Sequence, residues 1–182
     1  MGPKQSEKTW GVPRAKRRQY PIRGILNQEA QTVDAEGRVH VLNRENTTGV
    51  EQWYHYWRST TINWTRTPLP LPSALRSRTN VTGTPGVIGK RGKLVALSTV
   101  RGVSLLAVLP SNAPNSTALQ VLASSAAGHF RDWTVAWEIE QGSRWEPLVD
   151  RQRLTEGGDG VLSLFIVNGT NVGVVDLDVS SL

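Results

Sequence analysis

Three times along this chain a glycine-containing turn is followed by a β-rich run, and each time a second such run comes after it. Ala35-Glu36-Gly37 precedes RVHVLN, Lys90-Arg91-Gly92 precedes KLVALSTV, and Gly157-Gly158-Asp159-Gly160 precedes VLSLFIV. The second runs are Gln52 to Arg58, Val103 to Leu109 and Val172 to Leu177. Helical periodicity is nowhere sustained, so the local signals are those of an all-β chain. The turn glycines recur at intervals longer than the roughly 40–50 residues of a propeller blade, and a β-sandwich gives much the same local signals.

The densest chemistry lies between Leu26 and Trp64. It holds a polar cluster (Asn27, Gln28, Glu29, Gln31), a turn from Asp34 to Gly37, a strand through Val39 to Leu42, and an aromatic strand from Trp53 to Trp57. Asp34 suits the turn because its side chain can bond its own backbone, and Gly37 because it accepts a positive φ. Strand alternation puts Val39 and Val41 opposite His40 and Leu42. It likewise puts Trp53, His55 and Trp57 opposite Tyr54, Tyr56 and Arg58.

The segments NQEAQTVDAEGRVHVL and WYHYWRSTTINWTRTPLP resemble the later blades of the BNR repeat-containing β-propeller family. Some of its members are polysaccharide lyases acting on acidic glycans, including ulvan lyases and rhamnosyl-glucuronate lyases. The resemblance implies a partial β-propeller of about three to four blades over residues 25–182, fewer than the 4–8 with which propellers close. The expectation is the C-terminal half of a propeller, with open sheet edges prone to self-association. Trp64 and Trp133, each close after a strand, are expected to fill space between blades.

A lyase acting on uronate must neutralise the carboxylate beside the carbon that loses its proton, and needs a base and an acid tuned near working pH. In the resembling lyases an Asn-Gln motif lines the substrate cleft. Its counterpart here, Asn27-Gln28, makes Asn27 a candidate contact to a glycan carboxylate or hydroxyl. His55, Tyr56 and Arg58, with Tyr54, occupy the matching aromatic strand as further substrate-binding candidates; the alternative for His55 is hydrogen-bonded packing between blades. The family's catalytic histidines lie in motifs resembling D-H-N and G-x-x-H that precede the Asn-Gln segment, and no histidine precedes Asn27 here. Activity of this chain alone is therefore not expected.

Composition narrows the remaining choices. The chain contains no cysteine, which excludes disulfide staples, thiolate metal sites and a cysteine nucleophile. The histidines His40, His55 and His129 lack zinc-like spacing, Gly89-Lys90-Arg91 is not a phosphate-binding loop, and no G-x-G-x-x-G occurs. No metal or cofactor is expected. The sialidase-type S-x-D-x-G-x-x-W box is absent in strict form. Glu138 and Glu140 share a strand face about 7 Å apart, near the range of an inverting glycosidase pair, although such neighbours more often form a solvated rim.

The net charge of +6 resides in residues 1–24, an irregular arm containing Lys16-Arg17-Arg18; residues 25–182 balance acids against bases. Nucleic-acid binding through this arm is the weakest reading, because no aromatic side chain is interleaved with the basic tract. No apolar run is long enough for a bilayer, so no membrane partner is expected. The arm also lacks the apolar core of a signal peptide. Five N-x-S/T sequons, at Asn46, Asn63, Asn80, Asn115 and Asn168, nevertheless point to glycosylation and an extracellular parent. The expected partner is an acidic polysaccharide or oligosaccharide. The competing reading is a non-enzymatic glycan- or protein-binding β module with Trp53, Tyr54 and Trp57 stacking on sugars. Exposure of those aromatics favours it, and burial counts against it.

Overall fold

The computed structural model describes residues 28–45, 52–59, 61, 63–70, 91–110, 116–156 and 159–182. Among these residues are eleven strands and one short helix, arranged as three antiparallel sheets. The first sheet holds β1 (Gln28–Val33), β2 (Val39–Glu45), β3 (Gln52–Arg58) and β4 (Thr65–Pro68). The second holds β5 (Lys93–Thr99), β6 (Gly102–Pro110), β7 (Leu119–Ser125) and β8 (Thr134–Ile139). The third holds β9 (Leu148–Val149), β10 (Val161–Asn168) and β11 (Asn171–Asp178), with helix α1 (Arg151–Glu156) between β9 and β10. In each sheet spatial order follows chain order. Each is therefore a simple meander, which is the topology of a propeller blade.

The sheets stack through their faces. Alternate residues of the second sheet point opposite ways, and both sets are buried. Leu94, Leu105, Ala107, Leu109 and Leu122 pack with Leu42, Trp53 and Trp57 of the first sheet. Val95, Leu97, Leu106, Val108 and Val121 pack with Leu162, Leu164 and Leu177 of the third. This double burial explains why β6 reads as an unbroken apolar run, since a strand covered on both faces has no polar side to present. A two-layered sandwich has no such middle sheet. The chain is all-β, in the arrangement of a partial β-propeller of three blades.

Leu105 and Leu106 test this stacking directly, because both are 0% exposed yet face different neighbours. Leu105→Ala and Leu106→Ala are each expected to cost about 2–5 kcal/mol in urea unfolding, whereas Val174→Ala on an exposed face should stay within about 0.5 kcal/mol. A near-neutral result at either leucine would mean that one of the two interfaces is not formed.

The turns follow their residue types. Gly37 and Gly160 adopt φ of 75° and 67°, as their turns require. Gly92 is a glycine for another reason: a Cβ there would lie 2.8 Å from Leu42 Cδ2 and 3.2 Å from the Trp53 ring. The first strand of the second blade therefore begins in close contact with the first sheet. Asp150 caps α1 by accepting from Arg153 N at 2.9 Å.

Two expectations are refined. The polar segment after Asn27 forms a strand, β1, held by its ladder to β2, with Ala30 as its contribution to the core. Trp133 is buried between the first and second sheets as expected, but Trp64 is 44% exposed. Trp64 immediately precedes β4 and takes no part in the core between the first and second sheets.

Candidate functional site

A largely buried polar chain lies on the face of the first sheet that meets the second. Asp34, at the β1–β2 turn, accepts from the backbone N–H of Glu36 and Arg38 through Oδ1, and from Arg38 Nε through Oδ2 at 2.6 Å. His40 Nε2 lies 3.0 Å from the same Oδ2, and His40 Nδ1 lies 3.1 Å from His55 Nε2. Both imidazoles are 0% exposed. They stack with centroids 5.3 Å apart, and Phe130 meets them edge-on at 4.8 and 5.9 Å.

Phe130 reaches this position from the β7–β8 loop, where it and His129 adopt left-handed φ of 53° and 51°. Such a backbone costs energy for non-glycine residues and persists only when the surroundings fix it. Asp132 supplies that fixation, taking hydrogen bonds from Ser124 Oγ at 2.5 Å, Ser125 N at 3.0 Å and Ser125 Oγ at 2.7 Å. These bonds hold its carboxyl low against the upward pull of partial burial.

The charge states of the chain follow from its surroundings. Burial penalises the Asp34 carboxylate, but the hydrogen bonds from His40 and Arg38 together outweigh it and lower the pKa. Desolvation depresses His40 despite the attraction of Asp34. It depresses His55 to about 3, with the neighbouring His40 adding to the effect. Both rings are thus neutral near pH 7, and one tautomer pair fits: His40 Nε2–H donates to Asp34, and His55 Nε2–H donates to His40 Nδ1. His55 Nδ1 is then an acceptor with no hydrogen-bond partner among the described residues. The Phe130 main chain beside it favours the charged ring without completing a bond. The arrangement interlocks two blades, and it surrounds His55 with protein groups rather than solvent.

The other candidates fall elsewhere. Asn27 lies outside the described residues. Gln28 opens β1 opposite Asn43. Tyr56 and Arg58 lie on the face of β3 away from His55, so the three do not converge. Tyr56 donates to Glu45 Oε1, while Arg66 binds Glu45 Oε2 at 2.8 Å and lies 3.7 Å over the Tyr54 ring. Burial and Glu45 together push the Tyr56 hydroxyl pKa upward. Arg58 is exposed. Trp53, Tyr54 and Trp57 are 1%, 8% and 6% exposed, which counts against their stacking on sugars. Glu138 accepts from Gln120 across the β7–β8 ladder at 2.6 Å, and Glu140 is exposed. Asn63 and Asn168 are exposed; Asn46, Asn80 and Asn115 lie outside the described residues. Among the described residues no group of acidic and histidine side chains could hold a metal.

A second polar group forms where the blades' first strands begin. The start of β5 approaches Leu42, the ladder partner of Ala30 in β1. Arg91 Nε and Lys93 Nζ reach the carboxylate of Glu146, just before β9, at 3.4 and 3.2 Å. Arg91 and Glu146 are well exposed and Lys93 partly so; such pairs add little to stability. Two cations share one carboxylate, leaving a positive surplus on the rim where β1, β5 and β9 begin. Sequence reading passed over this group because Glu146 lies far from Arg91 along the chain. The visible signal was the basic pair in the turn before β5.

Residues 12–70 match the family model described as a BNR repeat-containing family member. The matched stretch includes the whole first sheet, and it supports the reading of a BNR-type β module. Comparison with curated proteins returns no match.

Proposed function

We propose that this chain is the glycan-binding part of a BNR-type β-propeller that engages uronate-containing polysaccharide in an extracellular setting. Catalysis would need histidine-bearing blades of the kind the resembling lyases carry. The observation that carries the reading is the rim, where Arg91 and Lys93 face a single carboxylate at the same end of the stack as Gln28. A uronate entering there can take over a cation from Glu146, and the resemblance offers Asn27-Gln28 as the residues for its hydroxyl and carboxylate oxygens.

The test is titration of oligogalacturonate, as a uronate probe, by calorimetry at low and physiological salt. The paired variant Arg91→Ala/Lys93→Ala should weaken binding by about tenfold or more, and binding to the parent chain should fall as salt rises. Asn27→Ala should weaken it without unfolding the chain. Unchanged affinity in both variants would overturn the assignment. A second reading, a protein-binding β module, draws support from the exposed apolar face of the third sheet.

A further inference from the structure

The cationic rim has an aromatic neighbour. Trp145 directly precedes Glu146, the residue whose carboxylate Arg91 and Lys93 share, and it is 64% exposed. Trp53, Tyr54 and Trp57, by contrast, are buried.

The backbone that presents Trp145 is fixed on both sides. Before it, Gly142 approaches β7 so closely that a Cβ there would lie 2.5 Å from Leu119 Cγ. Ser143 is wholly buried and ties the segment to β10: its Oγ donates to the Val167 carbonyl at 3.2 Å and accepts from Val167 N at 3.1 Å. Arg144 N donates to the same carbonyl at 2.8 Å. After Trp145, Glu146 is held by the two cations of the second blade, and Pro147 is buried. An exposed indole on an anchored backbone is a preformed contact surface, because only its two side-chain torsions remain to be ordered when a ligand arrives.

We infer that Trp145 is the stacking platform of the rim, on which one pyranose ring of the bound glycan lies while a carboxylate engages Arg91 and Lys93. This rests on the acidic-glycan reading of the rim and adds the class of ligand, a polymer of acidic sugar rings rather than any polyanion. The two features select different parts of such a ligand. Arg91 and Lys93 attract any carboxylate, that of an acidic peptide included. The indole face is the negative side of its quadrupole, which suits the C–H-lined face of a sugar ring, and the contact removes apolar surface of both from water. Single-stranded nucleic acid also combines stacking with negative charge, but it follows a positively charged groove, whereas here Glu146 partly neutralises the two cations.

Calorimetric titration of the full chain with oligogalacturonate, and with oligoglutamate of equal charge, tests the inference. Trp145→Ala should weaken glycan binding by about fivefold or more while changing peptide binding by less than about twofold, and Trp145→Phe should keep most of the affinity. The loss should be similar at low and physiological salt, since stacking is not screened, whereas the effect of Arg91→Ala/Lys93→Ala should shrink as salt rises. The urea midpoint of Trp145→Ala should stay near that of the parent chain, as for other exposed positions. Salt-dependent glycan binding that Trp145→Ala leaves within about twofold, equal weakening of glycan and peptide, or tighter binding of oligothymidylate than of oligogalacturonate would overturn the inference. Failure of the parent chain to bind oligogalacturonate would instead overturn the acidic-glycan reading itself, and the platform with it.

Discussion

Stability should fall steeply as the pH drops below about 6.5, the ordinary pKa of histidine. His40 and His55 are wholly buried and hydrogen-bonded as neutral rings, and both have depressed pKa values. Below pH 6.5 the unfolded chain binds protons that the folded chain refuses. The folded state is therefore fully favoured above that pH and loses about 1.4 kcal/mol through His55 for each further unit of acid, with His40 adding in the same direction. For His55 the loss continues down to about 3. Asp34 adds to it at the acid end, because its lowered pKa contributes stability present above 3.8 and lost as pH falls through the folded value. Arg38, whose charge also lowers His40, gives the protonated rings no relief. Against a total of about 5–15 kcal/mol for a domain, the loss of about 3 kcal/mol that His55 alone brings by pH 4 is a large fraction, and His40 adds to it in the same direction. Urea midpoints between pH 7.5 and 4.5 measure the slope. His55→Leu should reduce it to that of one histidine, and a flat profile in the parent chain would contradict the buried relay.

Gly128→Ala should be among the most damaging single substitutions, at about 2–4 kcal/mol. A Cβ at Gly128 would collide with the Asp132 carboxylate, and that carboxylate cannot swing away without giving up its bonds to Ser124 and Ser125. Those bonds hold the left-handed backbone at His129 and Phe130. Once they break, Phe130 withdraws from the edges of His40 and His55, and water reaches the imidazoles. The variant should therefore show two changes at once: a lower urea midpoint, and histidine proton resonances that titrate closer to pH 6.5 than in the parent chain. Asp132→Ala should move both readouts the same way. A destabilised variant with unchanged histidine titration would separate the loop from the relay.

Legibility differed between elements for physical reasons. β2, β3, β5, β6, β10 and β11 were readable because each begins at a turn residue and carries β-branched or aromatic side chains. β1 was not, since QEAQTV offers one small residue to the core and depends on its ladder to β2. The alternation that put His55 with Trp53 and Trp57, opposite Tyr54, Tyr56 and Arg58, holds in the structure. Partnership between His40 and His55 was beyond that alternation, because it needs the β2–β3 register, in which Leu42 faces His55 and His40 faces Trp57. Phe130 was hidden as well, for its insertion depends on a left-handed turn in a loop of ordinary composition. The rim joins residues from three blades, and only stacking brings them to one place.

The most direct measurement on the proposed function compares one glycan in two charge states on the unmodified chain: oligogalacturonate and the same oligosaccharide with its carboxyl groups reduced to alcohols. Shape and hydroxyl pattern are largely preserved, so the difference isolates the carboxylate contact. Saturable binding of the acidic form at least about tenfold tighter than the reduced form is the predicted result. Equal affinity for the two, or no binding of either, would contradict an acidic-glycan site built on Arg91 and Lys93.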